Sequence, residues 1–328
     1  MRLQENADFP LVVTNNNRVA VIEWQAWDGF LLNHVLGQKA LRIETDPFQE
    51  FPSAEFDRVC DSCTIVCFQI NLSVRTRLPL AIRELTRRFT ERGLYVVNGH
   101  VQDVRKSTLH AHLEAIGLAS AAATGSGPAD EILFVKTALN YGGELERSLP
   151  PENVAAAGFE SMISSEIGPY RYQALTREMV PQDIWDNPAL VVEKFVTNAE
   201  NSFYRVYFSG KQIIIVRAFA TGMIKKLSGD ARDTNYVTTL EELKAGADEF
   251  DLCTTLKQDV ATFVQSTPVE FGCVDIVHDG QGNHYIIDLN LTPYAGTRPH
   301  DAYLTNFLER GITDPSRRKL FHCPDSLL

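Results

Sequence analysis

The stretch from Glu270 to Pro293 reads EFGCVDIVHDGQGNHYIIDLNLTP, and it predicts a β-hairpin. Two runs of β-branched and aromatic residues flank a turn that is rich in Gly, Asp and Asn. This arrangement is a strong local signal for a hairpin. A pairing centred on Gln281 and Gly282 places Asp275 opposite Asp288. The predicted hairpin therefore carries two facing acids.

These facing acids indicate a metal site. Side chains alternate faces along a strand, so Asp288 and Asn290 share one face and Asp275 faces them across the strands. Like charges directly opposite each other are destabilising, so a cation is needed to compensate them. Two carboxylates and an amide oxygen are hard ligands of the kind that Mg²⁺ binds together with water and phosphate oxygens. The alternative is an ordinary hairpin whose acids point to water.

Length and composition restrict the class of protein. The chain has 328 residues, a formal net charge of -11, a hydrophobic fraction of 44% and a charged fraction of 22%. These values predict a soluble globular protein of two or three domains. The negative charge argues against a general nucleic-acid binder. No run approaches the length of a membrane span, and the first residues lack the order of a signal peptide, so we expect a cytoplasmic protein with no membrane partner.

Two other groups of potential metal ligands lie outside the hairpin. Cys60, Cys63 and Cys67 form C-x-x-C-x-x-x-C, but a fourth ligand at matching spacing is missing. Cys67 also lies in TIVCFQI, which predicts a buried strand, so a role as a buried hydrophobe is favoured. His110 and His112 lie two apart on a predicted helix, and solvated or capping roles are favoured over ligation.

The N-terminal region alternates strand-like and helix-like segments from residue 11 to about residue 98. This succession predicts a small α/β domain with a mainly parallel sheet. It contains no G-x-G-x-x-G, which argues against a dinucleotide site. Trp24, Trp27 and Asp28 follow a predicted strand, where open α/β sheets bind ligands. Packing of the tryptophans at a domain interface is an equal alternative.

The region from residue 99 to 187 presents two lysines before flexible segments. RKSTLHAHLEAIGL predicts a helix with Lys106 near its start. The segment ILFVKTALNYGGELE predicts a strand that delivers Lys136 to a loop containing Gly142 and Gly143. Such a loop can expose backbone N–H groups to phosphates, although a plain hairpin turn has the same composition.

In the region from residue 188 to 328, the sequence predicts a further hairpin that precedes the Glu270–Pro293 hairpin in the chain. FYRVYFSGKQIIIVRAF turns at Ser209–Lys211, with Arg205 and Arg217 on its two strands. We expect these arginines at neighbouring positions of one sheet, as a cationic surface, with solvated strand arginines as the alternative. DLCTTLKQDVATFVQ predicts an amphipathic helix, and HDAYLTNFLERG predicts a last helix that ends at Gly311.

In this order the motifs resemble the ATP-grasp superfamily of carboxylate ligases. The likeness is to D-alanine:D-alanine ligases and to the ligases that add glutamate to a ribosomal protein, and it covers roughly three fifths of the chain. The motifs are Lys106 on a helix, Lys136 before a glycine loop, E-K-F-V from Glu193, an acid seven residues later, and D-(x)12-D-x-N-x-x-P from Asp275.

The resemblance implies an α/β (α+β) fold in three parts. These are an N-terminal α/β domain (residues 1–98), a central subdomain with the glycine loop (99–187) and a C-terminal subdomain with the metal hairpin (188–328). The last two parts are expected to clasp ATP between them.

The resemblance also implies a role for each motif residue. Lys106 and Lys136 would contact the ATP phosphates, and Tyr141, Gly142 and Gly143 would close over the site. Adenine would meet Glu193, Lys194, Phe195 and Val196, and Glu200 would hold the ribose. The metal ligands would be Asp275, Asp288 and Asn290. The catalytic cations would be Arg217, Arg205 and Lys226, with Lys225 as an alternative to Lys226.

The activity implied is an ATP- and Mg²⁺-dependent ligation of a carboxylate to an amine through an acylphosphate, with release of ADP and phosphate. Two metal ions are expected, with Mn²⁺ as an alternative; Asp288 stands where those families commonly have Glu, which leaves the number of metals open. Cys273 stands where D-alanine ligases carry an arginine, which argues against a D-alanyl substrate.

Several alternatives stay open. A small-molecule kinase on the same fold is the second reading, and a non-catalytic nucleotide-binding protein is the third. The expected partners are a small-molecule or peptide carboxylate and an amine. The oligomeric state is undetermined, with a homodimer as one option.

Overall fold

The computed structural model describes residues 18–25, 28–163, 172–198, 201–220, 222, 232–246, 252–294 and 301–319. Within these residues the chain forms a parallel sheet and two antiparallel sheets. The α/β (α+β) class predicted from the sequence is confirmed. No helix in this part of the chain is both long enough and apolar enough to cross a bilayer.

The N-terminal sheet is parallel, as predicted, with strand order β2-β1-β3-β4. The two central strands are buried along their whole length, as expected for a sheet covered on both faces. Its strands are β1 (Val19–Glu23), β2 (Leu41–Glu44), β3 (Ile65–Gln69) and β4 (Tyr95–Val97), and its helices are α1 (Leu31–Leu36), α2 (Ser53–Ser62) and α3 (Ile82–Glu91).

A smaller antiparallel sheet follows, with order β6-β5-β7. Strand β7 pairs with β5, so this sheet has strands on both sides of the boundary predicted at residues 187 and 188. The elements here are α4 (Lys106–Ala115), β5 (Ile132–Thr137), α5 (Glu144–Arg147), α6 (Pro151–Ala157), β6 (Gln173–Thr176), α7 (Gln182–Trp185) and β7 (Leu190–Lys194).

The largest sheet is antiparallel, with order β10-β9-β8-β11-β12. It contains both predicted hairpins, and the one that carries Arg205 turns at Gly210 and Lys211. Its strands are β8 (Ser202–Ser209), β9 (Gln212–Phe219), β10 (Arg232–Thr239), β11 (Phe271–His278) and β12 (His284–Asn290), and the helices are α8 (Leu240–Ala245), α9 (Thr254–Ser266) and α10 (Ala302–Thr313). Short 3₁₀ turns occur at Gly37–Lys39, Asn140–Gly143, Arg177–Met179 and Pro315–Arg317.

One face of the largest sheet packs on α4, α8 and α9 around side chains such as Leu109, Phe263 and Ile276. The other face leaves room for polar side chains near β11 and β12. Helix α10 packs between the N-terminal sheet and β9, where Leu308 and Ile214 belong to one apolar cluster. The sequence motifs are thereby held on the polar face of β11 and β12.

The end predicted for α10 is wrong. The helix continues to Thr313, and Gly311 lies inside it. A Cβ atom at this position would lie 1.8 Å from the carbonyl oxygen of Ser209. Gly311 is therefore required by the close approach of α10 to β8 and not by a helix end.

Candidate functional site

The β11–β12 hairpin pairs Asp275 with Asp288, which confirms the predicted register. The register then shifts, so that Ile276 pairs with Ile286 and Ile287 is an extra residue on β12. An extra residue of this kind is a β-bulge, which interrupts the ladder and re-aims the neighbouring side chain. The bulge lies beside Asp288, at the point where the candidate metal ligands are placed.

Two buried lysines from other elements converge on this bulge. Lys136, on β5, donates to the carbonyl oxygen of Ile287 at 3.0 Å, and its Nζ lies 2.8 Å from Oε1 of Glu193 on β7. Lys106, at the first turn of α4, has its Nζ 3.5 Å from Oδ1 of Asp288. The two side chains are 5% and 4% exposed, so their charges act in a water-poor environment. Two predicted phosphate ligands are thereby brought beside the hairpin acids.

Glu193 is held by a histidine as well as by a lysine. Nε2 of His110 lies 2.7 Å from Oε1 of Glu193, and Nδ1 of His110 lies 3.2 Å from Oγ of Ser120. His110 and His112 are both buried, so the solvated roles expected for them are wrong. His110 is a site residue that the sequence interpretation missed, although it lies one helical turn after Lys106, on the same face of α4.

Burial and charge oppose each other in this group. Burial lowers the pKa of Lys136, while the Glu193 carboxylate raises it only in part. Burial alone would raise the pKa of Glu193, but the Lys136 charge and the His110 hydrogen bond outweigh it, and this pKa stays below its usual value. Removing either charge would leave the other buried without its main partner.

Asp275 is paired with an arginine of the neighbouring strand. Arg205, on β8, donates to both carboxylate oxygens of Asp275, with its Nε at 2.7 Å and its Nη2 at 3.1 Å. The Asp275 charge raises the pKa of Arg205 against the effect of burial. The repulsion between the facing acids is therefore offset by Arg205 on one side and Lys106 on the other.

Arg217 does not lie on this surface, which corrects the expectation that it joins Arg205 there. It pairs directly with Tyr204, whereas Arg205 pairs with Val216. Residues that pair directly share a face, and Tyr204 lies on the face that packs against the helices. The Arg217 guanidinium lies 5.9 Å from the Tyr204 ring centre. Arg217 is therefore on the face of the sheet opposite to Arg205 and Asp275.

The predicted glycine loop is a left-handed turn beside the hairpin. Tyr141, Gly142 and Gly143 have φ values of 49°, 66° and 70°. The Tyr141 hydroxyl accepts from Nδ2 of Asn290 at 2.6 Å and lies 3.2 Å from the carbonyl oxygen of Thr292, to which it donates. Consecutive left-handed residues favour glycine, which explains the G-G pair. The loop contacts the third predicted metal ligand directly.

Two cavities meet at the paired acids. One, of about 130 Å³, is lined by Lys106, Lys136, Glu193, Phe195, Asp275 and Asp288, and Lys194 and Val196 also border it. The other, of about 580 Å³, is lined by Tyr141, Arg205, Cys273, Asn290, Asp275 and Asp288. The acids therefore stand between a lysine-lined cavity and one that holds Arg205.

Three predicted ligand or catalytic residues lie outside the described residues: Glu200, Lys225 and Lys226. Trp27 also lies outside them. Trp24 packs edge-on against Phe48 in the N-terminal core, and Asp28 is an exposed partner of Arg42. Trp24 therefore has a packing role in the core of the N-terminal region.

The donor set of the hairpin fits a hard divalent cation. Asp275 and Asp288 face each other, and Oδ1 of Asn290 accepts from the N–H of Thr292 at 2.8 Å. Oγ1 of Thr292 lies 3.4 Å from the same oxygen but has a nearer acceptor in Oδ1 of Asn71 at 2.7 Å. Within the described residues no group of three His, Cys, Asp or Glu side chains could hold a metal ion. The candidate set consists of two carboxylates and one amide, a composition that suits Mg²⁺ when phosphate oxygens complete the shell.

Comparison with known proteins adds to this geometry. No family model matches the chain, and no curated protein matches its sequence. Among solved structures, the ATP-grasp ligase PsnB, in complex with a phosphomimetic variant of its minimal precursor, Mg and ADP, has a TM-score of 0.50 and 13% identity, over 90% of this chain and 97% of that one. N5-carboxyaminoimidazole synthetase from Staphylococcus aureus, complexed with ADP, has a TM-score of 0.50 and 9% identity, over 93% of this chain and 79% of that one.

The likeness extends over nearly the whole chain in both comparisons. The chain has the ATP-grasp fold, as the order of its motifs predicted. Both neighbours are described as a ligase or a synthetase, and each was solved with ADP.

Proposed function

We propose that the protein is an ATP- and Mg²⁺-dependent ligase that joins a carboxylate to an amine through an acylphosphate, releasing ADP and phosphate. The observation that carries this proposal is the pairing of Asp275 with Asp288 where two cavities meet. A phosphoryl group must pass from nucleotide to acceptor at such a junction, and the charge that develops there needs oppositely charged groups around it.

The nucleotide would occupy the cavity lined by Lys106 and Lys136. Both amines approach the acids from the side of α4 and β5, where they can meet phosphate oxygens. Adenine would lie toward Phe195 and Val196 at the end of β7, beyond Glu193. Glu193 keeps Lys136 oriented, since it accepts from this amine and is itself bonded to His110.

Mg²⁺ would be held by Asp275, Asp288 and Asn290. When bound, it would supply positive charge that neutralises the charge on the transferred phosphoryl group. Arg205 lies beside Asp275 and borders the larger cavity, so its guanidinium can orient the substrate carboxylate for attack on the γ-phosphate. Tyr141 borders the same space. Together with the two glycines after it, Tyr141 would limit the access of water to an acylphosphate.

The acceptor side is defined only by chemical class. A small-molecule or peptide carboxylate and an amine fit the larger cavity, whose lining includes Arg205, Cys273 and Tyr294. The structural neighbour PsnB was solved with a variant of its minimal precursor, so a substrate screen includes peptide carboxylates beside small-molecule ones. A kinase acting on a hydroxyl is the second candidate, because the same acids and lysines would serve it.

The test is an incubation with ATP, Mg²⁺ and pooled acids and amines, with ADP, AMP and phosphate measured separately. Free phosphate and ADP that require both an acid and an amine support the ligase. A stable phosphorylated product supports the kinase, and formation of AMP contradicts both. Omitting the amine pool from a parallel sample is the control that separates ligation from hydrolysis.

A further inference from the structure

A second group of reactive side chains lies near the turn of the metal hairpin, on the opposite face. His284, on β12, pairs with His278, and the next pair is Tyr285 with Val277. Val277 lines the proposed nucleotide cavity, so His284 and His278 point to the other face of the sheet. Here His284 meets the start of α9.

The group has the order thiol, imidazole, carboxylate. Sγ of Cys253 lies 3.6 Å from Nε2 of His284, and Nδ1 of His284 lies 3.5 Å from Oδ2 of Asp259. His284 is buried, and the Asp259 side chain is 31% exposed. Nδ1 of His284 is buried and makes no hydrogen bond within the described residues, so Asp259 acts on this ring through its charge at 3.5 Å. A base that contacts a nucleophile and lies beside a carboxylate is an arrangement that activates thiols.

The position of Cys253 in the fold adds to this activation. Cys253 is the N-cap of α9, a helix of 13 residues, and its Sγ accepts from the N–H of Leu256 at 3.5 Å. Oγ1 of Thr255 lies 3.1 Å from the same sulfur. The N-terminus of a helix presents unpaired N–H donors and a positive partial charge to a group at this position. The sulfur of Cys253 therefore contacts three groups, which are the His284 ring, the N–H of Leu256 and the hydroxyl of Thr255.

Cys253 is also the exposed one among the cysteines in the described part of the chain. Cys63, Cys67 and Cys273 are buried, and burial raises the pKa of the Cys63 and Cys67 thiols. Cys60 is half-buried, and burial raises the pKa of its thiol too. Cys323 lies outside the described residues. A reagent in solution can therefore reach Cys253 while it is hindered at the buried cysteines.

We propose that Cys253, with His284 and Asp259, is a reactive-thiol site that exchanges with disulfides of low molecular mass, separate from the ATP site. The carboxylate of Asp259 stabilises the imidazolium that forms when His284 accepts the thiol proton. His284 lies on β12, the strand that carries Asp288, and it precedes that acid by four residues.

The reaction is balanced as a thiol–disulfide exchange. Nε2 of His284, in the tautomer with its proton on Nδ1, takes the proton from Cys253. The thiolate sulfur attacks one sulfur of the disulfide, a new S–S bond forms, and the old S–S bond breaks. The departing thiolate takes the proton from the imidazolium. Cys253 is oxidised, the released sulfur is reduced, and a thiol reductant reverses the step.

The experiment measures the rate at which glutathione disulfide modifies Cys253 in the full chain, read peptide by peptide with mass spectrometry. The reference is the same protein unfolded in urea at the same pH. We expect the folded protein to react at Cys253 at least about tenfold faster than the unfolded chain, a modest gain for an activating base. A folded rate equal to or below the unfolded rate overturns the proposal.

Variants then assign the cause. His284→Gln should reduce the folded rate to within about twofold of the unfolded rate, because the base contributes the acceleration. His278→Gln is the matched control, since this histidine shares the face but has its Nε2 3.0 Å from Oγ of Ser202, and its rate should equal that of the wild type. An unchanged rate in His284→Gln overturns the proposal. If that variant does not fold, Asp259→Asn decides: a slower rate supports the proposal and an unchanged rate overturns it.

Discussion

Asp275 and Asp288 lie opposite each other, yet each has its own cation. Asp275 is bound by Arg205, and Asp288 lies 3.5 Å from Lys106. Since opposed carboxylates repel, these cations let the hairpin keep its register. When nucleotide and metal are bound, we expect the two cations to exchange part of this pairing for phosphate and substrate oxygens. These two acids are therefore the residues at which the proposed chemistry can be tested first.

The first prediction concerns Asp288→Asn, which keeps the shape of the side chain and removes its charge. Turnover should be abolished, because an amide is a poor substitute for a carboxylate ligand of Mg²⁺. Folding should be retained, since the change also removes a like-charge contact. Turnover and thermal unfolding are measured side by side, with Asp57→Asn, an exposed position on α2, as the matched control. Turnover of Asp288→Asn near the wild-type level would contradict the metal assignment.

The second prediction compares two arginines of neighbouring strands. Arg205→Ala should lower kcat, because it removes on the order of 3 kcal/mol of transition-state stabilisation, which is typical for one lost charge-stabilising group. Arg217→Ala, on the other face of the same sheet, should change kcat by no more than a few-fold. Steady-state kinetics and nucleotide calorimetry distinguish the two. If Arg217→Ala loses as much kcat as Arg205→Ala, the face assigned to the reaction is wrong.

The third prediction concerns Lys136, which meets phosphates that are charged before the reaction begins. Lys136→Met should weaken ATP binding about ten- to a hundredfold, the range for a lost charged hydrogen bond. Lys39→Met, at an exposed position that pairs with Glu309, is the control. Because the variant leaves Glu193 buried, its folding is checked by circular dichroism. Unchanged ATP affinity in the folded variant would remove Lys136 from the nucleotide site.

Some of these residue roles can be predicted from sequence and others cannot. The pairing of Asp275 with Asp288 was predicted from a turn centred on Gln281 and Gly282. The pairs next to the turn centre on Gln281 alone, and the extra residue Ile287 brings Asp288 opposite Asp275. The prediction that Arg217 shares a face with Arg205 was wrong because a shift of one residue in strand pairing moves a side chain to the other face. His110 contacts Glu193 from 83 positions away in the chain, and local patterns do not show such a contact.

At the scale of elements, α10 is positioned by a close approach to β8. Gly311 faces the carbonyl oxygen of Ser209, and a hypothetical Cβ would overlap that oxygen. Helix α10 also bridges two sheets through Leu308 and Ile312. The glycine therefore affects how the helix seats on the sheets.

The fourth prediction is that Gly311→Ala destabilises the protein by about 1–3 kcal/mol, the usual effect of overpacking a close contact. The measurement is the free energy of unfolding in urea. Gly125→Ala is the control, since its Cβ would come no closer than 4.0 Å to Trp185. Equal stability of both variants would show that α10 shifts at little cost.

Element identity was more predictable than element ends. Helices α3, α4 and α9 agree with their apolar periodicity, because that pattern is set locally by the face that packs on a sheet. The end of α10 was missed because glycine marks helix ends in most contexts, whereas here it is required by a backbone contact from β8.

At the scale of the whole molecule, one buried junction joins the N-terminal sheet to the largest sheet. Asn98, just after β4, donates through its backbone N–H to Oε2 of Glu270 at 2.7 Å, and its side chain donates to the carbonyl oxygen of Phe271 at 2.7 Å. Lys319 donates to the carbonyl oxygens of Thr267 and Val269 at the same place. Burial raises the pKa of Glu270 to about 7.

The fifth prediction follows from this raised pKa. A carboxyl group that holds its proton more tightly in the folded state stabilises it below the usual pKa of 4.5, and this contribution is lost as the pH rises toward 7. Glu270→Gln should therefore remove a fall in stability between these pH values. Urea unfolding of both proteins across that range measures the difference. Parallel stability curves would show that Glu270 does not titrate in this window. Lys319 acts in the opposite sense, because burial lowers its pKa from the usual 10.5 to about 7. Its contribution is present above pH 10.5 and is lost as the pH falls from there toward 7.

The overall architecture could be predicted only in part. The parallel N-terminal sheet follows from alternating strand-like and helix-like segments. The pairing of β7 with β5 joins strands more than fifty residues apart, and composition carries no signal for such pairing, so the boundary near residue 187 stays a prediction. The ATP-grasp fold was predictable because its motifs occur in a fixed order, even though each of them is short.

In the proposed reaction, a carboxylate is phosphorylated where the two cavities meet. The most direct measurement is trapping with hydroxylamine, which converts an acylphosphate to a hydroxamate. The protein is incubated with ATP, Mg²⁺, pooled carboxylates and hydroxylamine, and the hydroxamate is measured beside ADP, with Asp288→Asn as the inactive control. We expect hydroxamate and ADP in equal amounts, dependent on a carboxylate and absent in the variant. ADP formed with a stable phosphate ester and without hydroxamate would contradict it.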